Sequence, residues 1–311
     1  MNESTLNGKS IRPGRAVLAV FIMKKIQKNV YVQVTSSGHN VGCVVGEDGV
    51  VSIDLPFAPQ EALAWRTQIA ELTDKPLRAV IFTASDRVNS DVLGAVNLPS
   101  IIHESALTQI PTPVETGAPY TYPTDVMSAV MVRDYGPQPE VTYSDKMTYS
   151  MGVRHQLHID VQYIGGYGPG SAFVSVRDTG VLFTGDHVTT GQPPQLAYGD
   201  FTRWSDALSA LKKNKKVTIL VPGHGPVGDL TAINEVLDYI KLATSRVKAL
   251  VRGNKSRADV QAIIPDILAL YALKAGKTNR QTVDIDAISR VIRAGLERIY
   301  DDLKQEPVAS G

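Results

Sequence analysis

The chain has 311 residues, with 32 basic and 31 acidic side chains and an apolar fraction of 43%. This length and composition fit a globular protein with a sizeable core, and the balanced charge offers no basic excess for nucleic acid or an anionic membrane. Cys43 is the only cysteine, which excludes an internal disulfide framework and a cysteine-based zinc cluster. We therefore expect a cytoplasmic protein without nucleic-acid or membrane partners.

The N-terminal residues carry basic side chains on both sides of a short apolar run, Ala16 to Met23. This run is too short to span a bilayer, and no small-residue cleavage site follows it. We predict that residues 1–27 form an extension outside the folded domain.

The first half of the chain alternates strand and helix patterns. β-Branched and alternating segments predict strands, and Pro59 suits the first turn of a helix whose apolar residues recur at helical spacing. The predicted strands are Val30–Val34, Asn40–Val45, Val50–Asp54, Leu77–Thr83 and Ile101–His103, and the predicted helices are Pro59–Leu72 and Val92–Val96. Residues 111–125 contain four prolines and predict a long loop.

The second half begins with strand patterns and ends with helices. The predicted strands are Val141–Tyr143, Met147–Tyr149, His155–Ile159, Val161–Ile164, Ala172–Val176, Gly180–Thr184 and Val217–Val221. Ser205 is a candidate N-cap for a helix through Lys212, and Asp284 for a final helix. Between them, helical patterns run from Thr231 to a stop at Gly253 and across Ala258–Lys274, which Pro265 interrupts. The helical residues 231–311 are predicted to form an appendage on a domain that spans residues 28–230.

Two short motifs end predicted strands in this second half. They are Leu182-Phe183-Thr184-Gly185-Asp186 and Val221-Pro222-Gly223-His224-Gly225. Together with the hairpin around Asn40-Val41-Gly42-Cys43, the strand Ile81-Phe82-Thr83 and the loop Tyr167-Gly168-Pro169-Gly170-Ser171, they resemble the metallo-β-lactamase superfamily, including its glyoxalase II-like hydrolases. The resemblance implies an α/β fold, a four-layered αβ/βα sandwich, here with a C-terminal helical appendage.

Members of that superfamily hold two metal ions, usually zinc, through a His-x-His-x-Asp-His loop, a distant histidine, a bridging aspartate and a final histidine. Aligned from Thr83, the four loop positions fall on Ala84, Asp86, Val88 and Asn89, and the distant histidine falls on Tyr167. The bridging aspartate and the final histidine are present as Asp186 and His224. The resemblance therefore implies a metal site that has lost most of its ligands.

The remaining ligands could still form a site for a single metal ion. Asp186, His224 and one or both of Asp86 and Asp91, the latter as an alternative to Val88 at the aspartate position, would supply the three ligands that a catalytic metal needs. This oxygen-rich set would favour Mn²⁺, Fe²⁺ or Mg²⁺ over Zn²⁺. We expect Tyr167 to line the cleft with its hydroxyl bonded to Asp186 or His224, and we place Asn89 and His39 at the cleft as well.

Two functional hypotheses follow. The first is a binding or structural protein with an eroded metal site, whose partner is a small molecule or another protein. The second is a mononuclear metal-dependent hydrolase of an ester, thioester or phosphodiester. A serine or cysteine hydrolase is disfavoured because the sequence has no Gly-x-Ser-x-Gly elbow and Cys43 has no basic neighbours. The sequence leaves open whether the helical appendage packs on its own domain or on a second copy of the chain.

Overall fold

Two β-sheets form the centre of the molecule. The computed structural model describes residues 22–109, 139–271, 277–278, 281–282 and 285–305. In that part of the chain the first sheet contains, in spatial order, β1 Lys24–Gln27, β2 Val30–Val34, β3 Asn40–Val45, β4 Val50–Ile53, β5 Leu77–Ile81, β6 Ser100–His103 and β7 Val141–Tyr143. The second sheet contains β12 Ile219–His224, β11 Val181–Thr189, β10 Ala172–Val176, β9 Leu157–Tyr163 and β8 Lys146–Met151. A small hairpin joins β13 Lys277–Thr278 and β14 Gln281–Thr282.

The direction of the strands changes within each sheet. Strands β1 to β4 are antiparallel to one another, whereas β4 to β7 run parallel. In the second sheet β8 to β11 are antiparallel, and β12 joins β11 in parallel. The carboxyl ends of β5, β11 and β12, where parallel strands finish, are the usual place for a site in such folds.

Helices cover the outer face of both sheets. They are α1 Pro59–Leu72, α2 Ser90–Val96, α3 Phe201–Leu211, α4 Ile233–Arg252, α5 Ile264–Leu270 and α6 Ile285–Gln305. Helices α1 and α2 pack on the first sheet through a cluster that includes Trp65, Ile69 and Phe82. Helices α3 to α6 pack on the second sheet around Trp204 and Tyr239. A third cluster fills the space between the sheets, so the layers run helix, sheet, sheet, helix.

The C-terminal helices share one continuous core with the second sheet. Phe173 and Leu182 of the sheet belong to the same buried cluster as Val236 of α4, Ile267 of α5 and Leu296 of α6. Burial of apolar surface at about 25 cal/mol per Å² makes such a shared cluster a strong attachment. The predicted C-terminal helical region is therefore present, and it packs beside α3 on the second sheet.

Several predicted boundaries were wrong. The first sheet begins at Lys24 rather than after residue 27, because β1 pairs with β2. One strand, β9, replaces the two predicted around Asp160, which stays in the strand by pairing with Arg177 on the exposed face. Helix α3 begins earlier than predicted, because the Asp200 side chain, not Ser205, accepts a bond from the Arg203 amide. The predicted loop 111–125 and the Asp284 cap lie outside the described residues. Among the helices that the structure describes, none is long and apolar enough to cross a membrane.

Candidate functional site

The candidate site lies where β5 and β12 end, beside the irregular part of β11 between Gly185 and Thr189. After β5 the chain passes through Thr83 and Ala84 into a single 3₁₀ turn, Ser85–Arg87. Asp186 lies within β11, where its pairing with β12 is irregular between Gly185 and Thr189. His224 is the last residue of β12. The two parallel strands and the turn thus bring Asp86, Arg87, Asp186 and His224 to one place.

The centre of the site is a buried ion pair between Arg87 and Asp186. Nη2 of Arg87 lies 2.5 Å from Oδ1 of Asp186, and the two side chains are 1% and 9% exposed. The contact has the distance of an ion pair, but no guanidinium nitrogen has a hydrogen-bond partner with good geometry among the described residues. The Phe57 ring lies beside the guanidinium, 5.9 Å from its carbon to the ring centre. A full positive charge is therefore held inside the cleft mainly by nearby carboxylates.

The pKa values of the pair reflect this mutual stabilisation. Burial alone would raise the pKa of Asp186, but Arg87 and the hydrogen bond from His224 hold it well below its usual range. Burial alone would lower the pKa of Arg87, and the carboxylates of Asp186, Asp54 and Asp86 more than offset that effect and raise it. Both groups are charged at neutral pH.

His224 is bonded to the same carboxylate. Its Nδ1 lies 2.9 Å from Oδ1 of Asp186, and the side chain is 20% exposed. The loop around it is fixed by Asn40 of β3, whose Nδ2 donates to the carbonyl oxygens of Pro222 at 2.8 Å and Gly225 at 2.9 Å. These bonds hold the imidazole against Asp186.

Tyr167 lies in the site, as predicted. The predicted hydrogen bond from its hydroxyl group to Asp186 or His224 is not formed. The hydroxyl donates to Oδ2 of Asp86 at 2.6 Å. Its ring packs edge-on against Trp204 at 5.3 Å, and Trp204 donates from Nε1 to the carbonyl oxygen of His187 at 3.0 Å. Burial raises the pKa of Tyr167 well above its ordinary value, with Asp186 and Asp86 adding to the effect. The phenol therefore stays neutral and serves as a hydrogen-bond donor.

His39 does not rim the cleft as predicted, because it is fully buried. Burial, with Arg87 nearby, lowers its pKa to about 3, so the ring is neutral. Nε2 donates to the carbonyl oxygen of Leu55 at 3.1 Å, and Nδ1 accepts from Ser37 Oγ at 2.6 Å. Both ring nitrogens are occupied by this bonding.

Asn89 and Asp91 belong to the start of α2 rather than to the ion-pair cluster. The Asn89 side chain caps the helix by accepting from the Asp91 amide at 2.9 Å, and its Nδ2 donates to the carbonyl oxygen of Phe57. Asp91 is exposed in the first helical turn, where a carboxylate is favourable without any ligand. The structure brings together Asp86, Asp186, Tyr167 and His224, and leaves Asn89, Asp91 and His39 in other roles.

Asp54 and Arg87 are members of the cluster that the sequence reasoning missed. Asp54 follows β4 with a left-handed backbone, at φ 56°. Its carboxylate accepts from the Thr83 amide at 2.9 Å and from Thr83 Oγ1 at 2.7 Å. Burial raises the pKa of Asp54 to about 6, although Arg87 and the Thr83 bonds oppose the rise. Neither residue occupies a ligand position of the family motif, so the motif gives no sign of them.

We expect Asp54 to make the folded chain less stable as pH rises from 4 to 7. The folded pKa of about 6 exceeds the ordinary value of 3.8, so the folded state binds the proton more tightly and loses that advantage as pH rises. At 1.36 kcal/mol per pKa unit, the loss is about 2 kcal/mol. Urea unfolding of wild type and Asp54→Asn at several pH values checks this. The free-energy difference between them should shift by that amount, and a constant difference would refute the assignment.

A pocket opens beside this cluster. Its volume is about 160 Å³, and its polar lining comes from Asp186, His224, Thr189, Gln192 and Gln195. Tyr167 and Pro193 add apolar surface, and one wall is formed by Ala287, Ile288 and Val291 of α6. Helix α6 approaches Leu196 closely because Gly295 has no side chain. A Cβ at that position would lie only 2.7 Å from Cβ of Leu196. Within the described residues, no group of three or more His, Cys, Asp or Glu side chains is arranged to hold a metal ion.

Comparisons with known proteins concern the fold of the chain and not its site. No model of a known protein family matches the chain, and no curated protein matches it. A metallo-β-lactamase from Pontibacter korlensis superposes with a TM-score of 0.57 at 19% identity, covering 71% of this chain and 99% of that one. The DIM-1 metallo-β-lactamase exposed to ceftazidime gives 0.56 at 18% identity, covering 72% and 97%. The TMB-1 structure gives 0.55 at 15% identity, covering 72% and 98%. The chain therefore has the metallo-β-lactamase fold.

Proposed function

We propose that this chain is a binding protein of metallo-β-lactamase fold that works without the dinuclear metal site of its fold relatives. The observation that carries the proposal is the buried Arg87 guanidinium, 2.5 Å from the Asp186 carboxylate. Asp186 stands where the resemblance implies a bridging metal ligand. In this chain the Arg87 side chain supplies the positive charge that stabilises the buried Asp186 carboxylate.

The available donors support this reading. A catalytic metal needs about three protein ligands and an open position. Oδ1 of Asp186 faces both Arg87 and His224, and Nδ1 of His224 is engaged with that oxygen at 2.9 Å. Asp86 already accepts the Tyr167 hydroxyl proton at 2.6 Å. A divalent ion at Asp186 would have to displace these bonds and sit beside a buried guanidinium, which Coulomb repulsion opposes.

The pocket supports binding of a small molecule rather than a purely structural role. Its volume of about 160 Å³ is below the roughly 300–1,000 Å³ of sites for drug-sized ligands. It resembles the roughly 150 Å³ cavity that accepts a single benzene ring in another protein. We therefore propose a ligand of about one ring, bound beside His224.

A mononuclear metal-dependent hydrolase is the alternative. The observation in its favour is that Asp86, Asp186 and His224 belong to one electrostatic cluster next to the pocket. In this alternative Arg87 leaves Asp186 when the metal binds. The two proposals differ in what occupies Asp186 at rest.

Elemental analysis separates them. We expect the purified chain to contain far less than one equivalent of Mn, Fe or Zn, and a chelator to leave its melting temperature unchanged. A metal present at a hundred times its Kd would instead stabilise the fold by about 2.7 kcal/mol, so added Mg²⁺, Mn²⁺ and Zn²⁺ are tested as well. One metal per chain that is lost in His224→Ala would refute the proposal. His158→Ala, on an exposed imidazole bonded to Ser150, is the matched control.

A cytoplasmic location, the absence of nucleic-acid and membrane partners and the oligomeric state stay predictions. Light scattering of the purified chain tests the last of these.

A further inference from the structure

The protonation of His224 can be assigned from its partner. An ionised carboxylate only accepts hydrogen bonds, and the buried ion pair with Arg87, 2.5 Å away, keeps Asp186 ionised. The ring nitrogen that faces Asp186, Nδ1 at 2.9 Å, must therefore carry a proton. In the neutral imidazole this leaves Nε2 with a free lone pair, and no partner for Nε2 is found among the described residues.

His224 is also a lining residue of the pocket. Apart from the ion-paired Asp186, the other polar lining groups, Thr189, Gln192 and Gln195, are neutral, and the α6 wall is apolar. A pocket that contains both an imidazole acceptor and an aliphatic wall matches a ligand with one hydrogen-bond donor on a small apolar body.

The charges around the pocket disfavour an anion. Arg87 interacts with the three carboxyl groups of Asp186, Asp54 and Asp86, so the cluster carries excess negative charge when all are ionised. The carboxylate that lines the pocket, Asp186, is already paired with Arg87 and His224. It is therefore a poor partner for a further cation. An uncharged ligand fits both conditions.

We propose that His224 Nε2 is the acceptor of a binding site for a small uncharged molecule with a hydroxyl group on a body of about one ring. Asp186 positions the imidazole and fixes its tautomer, and Arg87 fixes Asp186. The site rests on the function proposed above, since a metal bound to His224 would remove the free acceptor.

The test uses phenol, toluene and benzoate, which share one ring and differ in donor and charge. The full-length chain, dialysed against a chelator, is titrated with each probe at pH 7.5 and followed by ¹⁵N NMR of its histidine rings. We expect an unprotonated-type Nε2 resonance for His224 that moves when phenol binds. Phenol should bind about five- to tenfold more tightly than toluene, as one net hydrogen bond allows, and benzoate should bind more weakly than either.

Two substitutions isolate the acceptor. In His224→Asn, the amide nitrogen takes the place of Nδ1 and can still bond Asp186, while Nε2 is lost. This variant should lose the preference for phenol over toluene, whereas His158→Asn should keep it. His224→Gln places an amide oxygen near the position of Nε2 and should restore part of the preference.

Several outcomes would overturn the inference. They are a protonated Nε2 in the neutral ring, equal binding of phenol and toluene, tightest binding of benzoate, or an unchanged preference in His224→Asn. If His224→Asn does not fold, the wild-type tautomer and the three probes still decide. Metal analysis of the same sample distinguishes the two failures: one metal per chain defeats the proposed function, while a metal-free chain without phenol preference defeats only this inference.

Discussion

Replacing Arg87 with methionine should lower the free energy of unfolding by about 3–5 kcal/mol at pH 7, the usual cost of leaving a buried charge without its partner. Methionine keeps much of the volume of the side chain but removes the cation from beside Asp186, Asp54 and Asp86. The variant would then fold with the buried carboxyl groups of Asp54 and Asp186 and no internal cation beside them. Urea unfolding at pH 7 measures the loss.

The same variant should show a characteristic pH dependence. In wild type Arg87 holds the folded pKa of Asp186 well below its usual range, whereas burial raises that pKa once Arg87 is gone. As pH falls toward 4, the unpaired carboxyl group of the variant therefore takes up a proton, which stabilises the folded variant but not wild type. The difference between wild type and Arg87→Met should therefore shrink from pH 7 to pH 4. A constant difference would mean that Arg87 acts through packing alone.

Arg177 provides a matched control. Its Nη2 also lies 2.5 Å from an aspartate oxygen, on Asp160, but the two side chains are 44% and 36% exposed. Exposed pairs contribute about 0–1 kcal/mol, so Arg177→Met should change stability little. Equal losses in the two variants would contradict the role assigned to Arg87. Arg87→Lys, which keeps a charge but not the planar guanidinium, should fall between wild type and Arg87→Met.

The fold could be predicted from the sequence because its signals are local and repeated. Helix α1 was predicted with the observed bounds, since Pro59 marks its first turn and Trp65 and Ile69 mark its buried face. The hairpin of β3 and β4 follows from the turn before Gly49. Errors arose where a tertiary contact overrides a local signal, as at Asp160, which a salt bridge keeps in the strand.

The site was less predictable, because its contacts join residues distant in sequence. Asp186 and His224 were found through the motifs that end β11 and β12. Arg87 was missed since an arginine in a polar turn usually faces solvent, and only the 3₁₀ turn after β5 directs it inward. Tyr167 was placed correctly in the cleft, but its partner depended on where that turn puts Asp86. Ligand positions taken from a family motif do not reveal a cationic side chain, such as Arg87, that pairs with one of those positions.

Gly223 is the residue that lets β12 approach Asp186. A Cβ at this position would overlap Oδ1 of Asp186, and it would lie 2.6 Å from the Gly185 carbonyl carbon and 2.7 Å from the Asp186 amide nitrogen. Two of these three atoms are backbone, so rotation of a side chain cannot relieve the overlap. The third atom, Oδ1 of Asp186, contacts both Arg87 and His224, so moving the carboxylate away from the added methyl group would break these contacts.

Gly223→Ala should therefore cost about 3 kcal/mol or more, at or above the upper end of the usual range for overpacking, and it should also separate His224 from Asp186. Gly228→Ala is the control from the same segment, because a Cβ there meets nothing within 4 Å and its backbone is not left-handed. Alanine also restricts the unfolded chain, so the control should be neutral or slightly stabilised. Urea unfolding gives both free energies, and the ring ¹⁵N spectrum reports His224, whose Nδ1 proton should lose its carboxylate partner in Gly223→Ala alone. Equal stability of the two variants would show that β12 can shift to accommodate a methyl group, and that the contact between Asp186 and His224 does not depend on the close approach at Gly223.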